Sequence, residues 1–347
     1  MQTKISVVAA RRHIATYQLH PIWRAKEELK ELGYEFVDQT ASKFDYSLVQ
    51  TTGFGKREGK KAVEFMKKHA PIILLDDAAS TGTHKMRFMH WYPDLCVGYI
   101  KKQILRNRNL YKTKYPRKRN HYYELSKIGT HLNGETKPDK TVTDKVLSRL
   151  HLGWSLALME RHGIQVLQNP LYDDRNIDIH FSIKTKYTTK MEKENLGKID
   201  NHYAFHRVGG SLEVDRIAKK YNFSTSGFCR GSEYLRKMKQ SKICISPLGL
   251  GEVCFREFEA ICHGAIVIKP DMSGIETWPN IYQAYKTYIP VKWDWSDLEE
   301  TVHKVVINYK RYQPIAQNAF EVIKSVWNNK VFATKFDEIF KRVMTTV

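Results

Sequence analysis

The chain has 347 residues, 42% of them hydrophobic and 12% aromatic, which is apolar material enough for two domains with separate cores and excludes a disordered polymer. No apolar run approaches the roughly 20 residues of a membrane span, and the opening MQTKISVVAARRH lacks a signal peptide's apolar core, so a soluble, cytoplasmic protein is expected. The formal net charge of +20 exceeds what one small anion requires and points to a polyanionic partner, either nucleic acid or an anionic membrane or glycan.

The first part of the chain alternates strand and helix. KISVVAA at Lys4–Ala10 predicts a buried first strand ending at Arg11-Arg12-His13, and Pro21 opens a helix, IWRAKEELKELG, that Gly33 stops. Tyr34–Val37 and Asp45–Gln50 read as strands, Lys60–His69 as a helix, and Pro71–Leu75 as another buried strand. Such alternation predicts a doubly wound parallel sheet, with ligands beyond its carboxyl edge. The last strand runs into Asp76 and Asp77, where a general base facing a cleft belongs, and nothing in the sequence chooses between the two. The plainer reading is a pair that caps a loop. His13, His84 and His90 are weaker candidates for the same work.

Lys101–Arg119, KKQILRNRNLYKTKYPRKR, is the densest basic stretch, carrying Lys101, Lys102, Arg106, Arg108, Lys112, Lys114, Arg117, Lys118 and Arg119 around Tyr111 and Tyr115. Cations for phosphates with tyrosines for stacking predict a nucleic-acid groove; bulky apolar residues are too sparse for a membrane-insertion face, and a solvated loop is the plain alternative. Thr130–Lys145 reads as a loop, Val146–Arg161 as an amphipathic helix, and Val166–Arg175 as an interdomain linker. Ile177–Ile183 restarts the pattern as a strand, and Lys184, Lys186 and Arg207 are candidate cations for a diphosphate. Ser211–Tyr221 predicts a helix and Phe223–Cys229 a strand.

The most informative stretch follows. Lys242–Pro247 is a β-branched strand, Gly249 and Gly251 punctuate a loop, a helix spans about Val253 to His263, Gly264 stops it, and Ala265–Lys269 is a second strand. A strand–helix–strand unit this short is a parallel, right-handed crossover. Its Gly loop and helix N-terminus suit a diphosphate, Arg256 adds a guanidinium fork, and Glu259, three residues on and on the same helix face, is placed to accept both hydroxyls of a ribose. An ordinary surface Arg–Glu pair is the competing reading, and the flanking Gly loop argues against it. Helices at LEETVHKVVINYKRY, IAQNAFEVIKSVWNN and FATKFDEIFKRVMTT complete the chain. The five cysteines include no C-x-x-C pair, consistent with reduced thiols, and no His/Cys cluster has metal-ligand spacing.

Arg256-Glu257-Phe258-Glu259-Ala260 with Gly264-Ala265-Ile266-Val267-Ile268 resembles the R-x-x-E-A…G…P-V-I signature of GT-B glycosyltransferases, over about sixty residues that extend to Tyr288–Leu298. Two departures stand out: six residues separate Glu252 from Glu259 where the family has seven, and Ile266 replaces the usual proline. The resemblance implies an α/β fold of two Rossmann-like doubly wound domains facing across a cleft. Residues 1–170 would form the acceptor side and 171–325 the nucleotide-sugar side, with 326–347 as a last helix packing back on the first domain. It implies a donor, UDP-linked in expectation, held by Gly249, Gly251, Glu252, Arg256 and Glu259 without a required metal. An aspartate of the first domain would be the base if the enzyme inverts, as in a phage-type DNA glucosyltransferase to which the Asp76-Asp77 strand and loop are loosely similar. Charge favours a hydroxymethylated base in DNA as acceptor. A surface glycan such as lipopolysaccharide or capsule, and a nucleic-acid-binding protein without transfer activity, stay open.

Overall fold

The computed structural model describes residues 2–9, 17–51, 59–76, 78–83, 88–89, 92–113, 119–128, 142–155, 158, 170, 175–184, 202–249 and 251–345. Two parallel sheets organise them. The first contains β1 (Thr3–Val8), β2 (Tyr34–Val37), β3 (Tyr46–Gln50), β4 (Ile72–Asp76), β5 (Cys96–Lys101) and β7 (Leu150–Leu152), in the order β2-β1-β3-β4-β5-β7. The second contains β8 (Ile177–His180), β9 (Ser241–Ile245), β10 (Ile266–Pro270) and β12 (Ile289–Val291), in the order β12-β10-β9-β8. A parallel bridge from Thr225 to Ile179 flanks β8 on its other side. Both sheets thus reverse direction after their first strand, at β1/β3 and at β8/β9, and such reversals are where α/β sheets leave room for ligands.

The sequence explains most of these elements. β4 is the continuous apolar run IILL because helices cover a parallel sheet on both faces, and all five of its residues are buried. α1 (His20–Arg24), α2 (Lys26–Glu31) and α11 (Asn329–Thr345) cover one face of the first sheet; α3 (Gly59–His69) packs on the other. α11 buries Phe332, Ala333, Phe336, Ile339, Phe340 and Val343, a helical stripe, against Ile5, Leu48, Ile73 and Val97. Tyr34 fixes this helix, meeting Phe336 and Phe340 edge-on and donating to Asp337 at 2.9 Å.

The second sheet lies between α8 (Phe255–Cys262) on one face and α6 (His202–Tyr221) with α9 (Leu298–Ile307) on the other. α10 (Tyr309–Val326) serves both faces and then reaches the first sheet, with Ile315 and Phe320 in the two cores of the second sheet and Val326 in the first. A two-stranded antiparallel ribbon of β6 (Gln103–Leu105) and β11 (Ile275–Thr277) stitches the halves together.

Several expected elements differ. The first helix breaks at Ala25 into α1 and α2. Of the helix expected over Val146–Arg161, only the start belongs to α5 (Asp144–Leu147), capped by Thr143, because Leu150–Leu152 pairs with β5 instead, and residues 156, 157 and 159–161 lie outside the described residues. Phe223–Cys229 contributes one bridge and no strand, and α6 begins at His202, not Ser211. The linker at Val166–Arg175, and the loop from Thr130 as far as residue 141, lie outside the described residues except Pro170 and Arg175. Among the described residues no helix is long and apolar enough to cross a membrane.

Candidate functional site

The Gly loop leaves the carboxyl end of β9 at the second sheet's reversal. Its first peptide, at Leu248, is held from both sides by α6: the N–H donates to His206 Nδ1 at 3.3 Å, and the carbonyl accepts from Arg207 Nε at 2.8 Å. Arg207, expected to face a diphosphate, thus tethers the loop through its Nε. His206 is buried against Trp295 and Trp293, and burial, with Lys269 adding, keeps its imidazole well below the ordinary histidine range.

The loop then closes on itself, with Gly249 N–H donating to Gly251 O at 3.1 Å. At Gly251 a Cβ would lie 1.9 Å from Ala79 O, so contact with the loop after β4 by itself requires a glycine here. Two loops that leave the carboxyl ends of β4 and β9 thus touch, and the carboxyl edges of the two sheets meet there.

α8 begins at the N-cap Cys254, whose N–H donates to Glu257 at 2.6 Å in a capping box. Glu257 is buried and also accepts from Lys269, Tyr282 and Ser246, so it is a structural carboxylate. Arg256 is half-buried and donates to Ser246 Oγ at 3.1 Å and Pro247 O at 3.3 Å. Glu259 is 6% exposed and accepts from Tyr234 Oη at 3.0 Å, from α7 (Gly231–Lys239). Tyr234 in turn meets the His180 ring edge-on at 5.0 Å. The structure therefore gathers Arg256 and Glu259 with Tyr234 and His180, two neighbours that sequence reasoning missed. His180 is buried at the end of β8, and neither ring nitrogen has a hydrogen-bond partner among the described residues. Burial first, then Arg256, Lys237 and His263, lower its pKa to about 3. Lys184 lies half-buried beyond β8, and Lys186 lies outside the described residues.

Glu252 does not join this group. It is buried without exposure and accepts from Thr81 N at 3.1 Å, Thr81 Oγ1 at 3.2 Å and His121 Nδ1 at 2.9 Å, all from the first half of the chain. Glu252, expected to touch a donor, is fully buried here with its oxygens engaged across the two halves. Burial raises its pKa, yet the adjacent His121 and its hydrogen bonds outweigh that and hold it at about 2.

Asp76 is likewise committed. Fully buried, it accepts from Lys101 Nζ at 2.7 Å, Tyr99 Oη at 2.6 Å and Ala78 N at 2.8 Å, with Thr51 Oγ1 at 3.4 Å. A carboxylate bound this way is no open base. Asp77, with His13, His84 and His90, lies outside the described residues.

The described residues of the basic stretch are taken up largely by contacts within the protein. Lys101 ends β5 inside the protein, ion-paired to Asp76, and Lys102 is 5% exposed. Arg106 donates to Ser273 O and Ile275 O, while Arg108 donates to Leu105 O and pairs with Glu276, so both fasten the ribbon between the halves. Lys112 pairs with exposed Asp144, and Arg119, just before α4 (Asn120–Lys127), lies over the Tyr122 ring. Lys114, Arg117 and Lys118 lie outside the described residues. The buried Asp76 carboxylate needs a counter-charge, which a charge count along the sequence does not reveal. Among the described residues no three His, Cys, Asp or Glu converge to hold a metal ion.

No protein-family model matches the sequence, and a search of curated proteins finds no relative. Among solved structures the chain is similar to TarM at 9% identity, over 85% of this chain and 54% of that one, with a TM-score of 0.44. It is similar to an alpha-glucosyltransferase in complex with UDP and a 13-mer DNA containing a HMU base at 10% identity, over 99% and 100%, with a TM-score of 0.38. A third is Anabaena Alr3699/HepE in complex with UDP-glucose, at 10% identity over 99% and 100%, TM-score 0.42. The chain spans about half the length of TarM and the whole length of the other two.

Proposed function

We propose that this chain is a GT-B-type glycosyltransferase, moving a sugar from a nucleotide-diphosphate sugar, UDP-linked, to a hydroxyl of an anionic polymer. The observation that carries the reading is the placement of Arg256 and Glu259 one turn apart on α8, at the carboxyl edge and reversal of the second sheet. A guanidinium there suits a diphosphate and a nearly buried carboxylate suits a ribose diol. In this reading residues 171–325 carry the donor, residues 1–170 face the acceptor, and the final helix closes the structure.

The acceptor oxygen attacks the anomeric carbon while the bond from that carbon to the diphosphate oxygen breaks. Cationic groups beside the diphosphate, Arg256 first, stabilise the charge that develops on the leaving group. In an inverting reaction the hydroxyl proton passes to a carboxylate of the first half. Asp76 is engaged by Lys101 and Tyr99, which leaves Asp77 as the base of the two aspartates.

The favoured acceptor is a hydroxymethylated base in duplex DNA. The net charge of +20 supports a polyanion, and Lys60, Lys61, Lys67 and Lys68 are exposed on α3. Such a base must leave the stack to react. A panel of nucleotide sugars, with and without hydroxymethylated duplex DNA, tests both parts. Nucleotide release stimulated by that DNA, with a matching mass gain on the base, is the expected result. Release stimulated only by lipopolysaccharide or capsule would move the acceptor to a surface glycan. Absence of binding to any nucleotide sugar would overturn the enzyme reading and leave a nucleic-acid-binding protein.

A further inference from the structure

We infer that Glu252 and Thr81 form a joint that locks the Gly loop of one half to the post-β4 loop of the other, making Glu252 a positioning residue and not a donor ligand. For its functional sense the inference rests on the donor site proposed above; as a statement about the joint it stands on contacts alone.

Every polar group of Thr81 is engaged. Its N–H and Oγ1 donate to Glu252, its Oγ1 accepts from Asn120 N at 2.9 Å, and its carbonyl accepts from Tyr111 Oη at 3.0 Å. Tyr111 Oη also accepts from Leu105 N at 3.0 Å, which ties the joint to the β6–β11 ribbon. Thr81, Glu252, His121 and Tyr111 are all without exposure, so water does not compete for these bonds. Next to them the Gly251 backbone rests directly on that of Ala79, an approach that any side chain at 251 would block.

The chemistry explains why a carboxylate occupies this position. Glu252 collects a main-chain N–H, a hydroxyl and an imidazole nitrogen, and its charge, buried between the halves, is costly unless all of them stay in place. Opening the joint strands that charge, so the two loops move together or not at all. Because the post-β4 loop begins at the acidic end of β4, the joint also sets the distance between that end and the Gly loop. Transfer between two bound reactants depends steeply on such a distance.

The test uses the full chain, UDP as probe, and the near-isosteric replacements Glu252→Gln and Thr81→Val. Each is expected to weaken UDP binding by a similar factor, roughly tenfold, and the double variant to be no weaker than the worse single, because both break one unit. Thr81→Val leaving UDP affinity within about twofold of wild type, while Glu252→Gln weakens it strongly, would make Glu252 a direct donor contact and overturn the joint. Native-state amide exchange on the wild-type chain tests the same claim without variants or ligand. The amides of 79–83, 249 and 251–253 should exchange through one opening with the same denaturant dependence, and independent openings would overturn the inference. If UDP does not bind the wild type, the donor-site reading fails while the exchange result still decides the joint.

Discussion

Lys101 Nζ lies 2.7 Å from Asp76 Oδ2, and neither side chain is exposed. One charge closes the end of β5 and the other the end of β4, on adjacent parallel strands. Neither tolerates burial alone.

Lys101→Met is accordingly expected to destabilise the fold by about 3–5 kcal/mol, since it strands the Asp76 carboxylate. Urea unfolding measures this, and Asp76→Asn in the same chain should restore part of the loss. The slope of nucleic-acid affinity against salt should not change, because this lysine faces no solvent. A slope reduced by one phosphate contact would return Lys101 to the binding surface.

Arg256→Ala and Glu259→Ala should each lower kcat/KM with a UDP-sugar by about 10²–10³ while leaving DNA binding intact. Arg256→Lys should recover little of this, since an ammonium lacks the two-pronged geometry of a guanidinium. Steady-state kinetics beside a DNA-binding isotherm provide the check.

Asp77→Asn should reduce turnover by about 10²–10⁴ with an unchanged melting temperature and unchanged UDP affinity, as loss of a base does. Asp76→Asn should instead lower the melting temperature, because Lys101 loses its counter-charge. Full activity in Asp77→Asn would send the search for a base to other residues.

Stability should fall in acid in two stages. The unfolded His180 imidazole takes up a proton below pH 6.5, the folded one only near 3, so in between the unfolded state binds more protons and stability drops as pH falls. Each such group steepens the decline by up to about 1.4 kcal/mol per pH unit. Glu252 contributes stability that is complete above about 4.5 and lost toward about 2. His180→Leu should flatten the upper stage without abolishing it, because His151 and His206 are depressed in the same direction. Glu252→Gln should flatten the lower one. Urea midpoints from pH 7 to 3 distinguish the two variants.

Two glycines should respond oppositely to alanine. Gly251→Ala places a methyl against Ala79 O and should lower both the melting temperature and UDP affinity. Gly209→Ala, inside α6 with Trp295 no nearer than 3.5 Å, should stabilise by about 0.5–1 kcal/mol through helix propensity. Differential scanning calorimetry of the two variants is sufficient.

Local sequence was enough for the alternation of strands and helices, the helix that carries Arg256 and Glu259 on one face, and its stop at Gly264, which has φ +72°. Those features depend on spacing within one or two turns, where caps, periodicity and glycine act on close neighbours. It misread Val146–Arg161, where apolar residues at helical spacing gave way to an edge strand on β5. Long-range packing makes Lys101 a buried counter-ion, sets Arg207 on a loop, and brings Glu252 to Thr81 and His121. The partners in these contacts are 25, 41, 171 and 131 residues apart. At such separations a charge looks the same in sequence whether it faces water or a partner. What distinguishes the two is the desolvation that sets in once two sheet edges have been brought together.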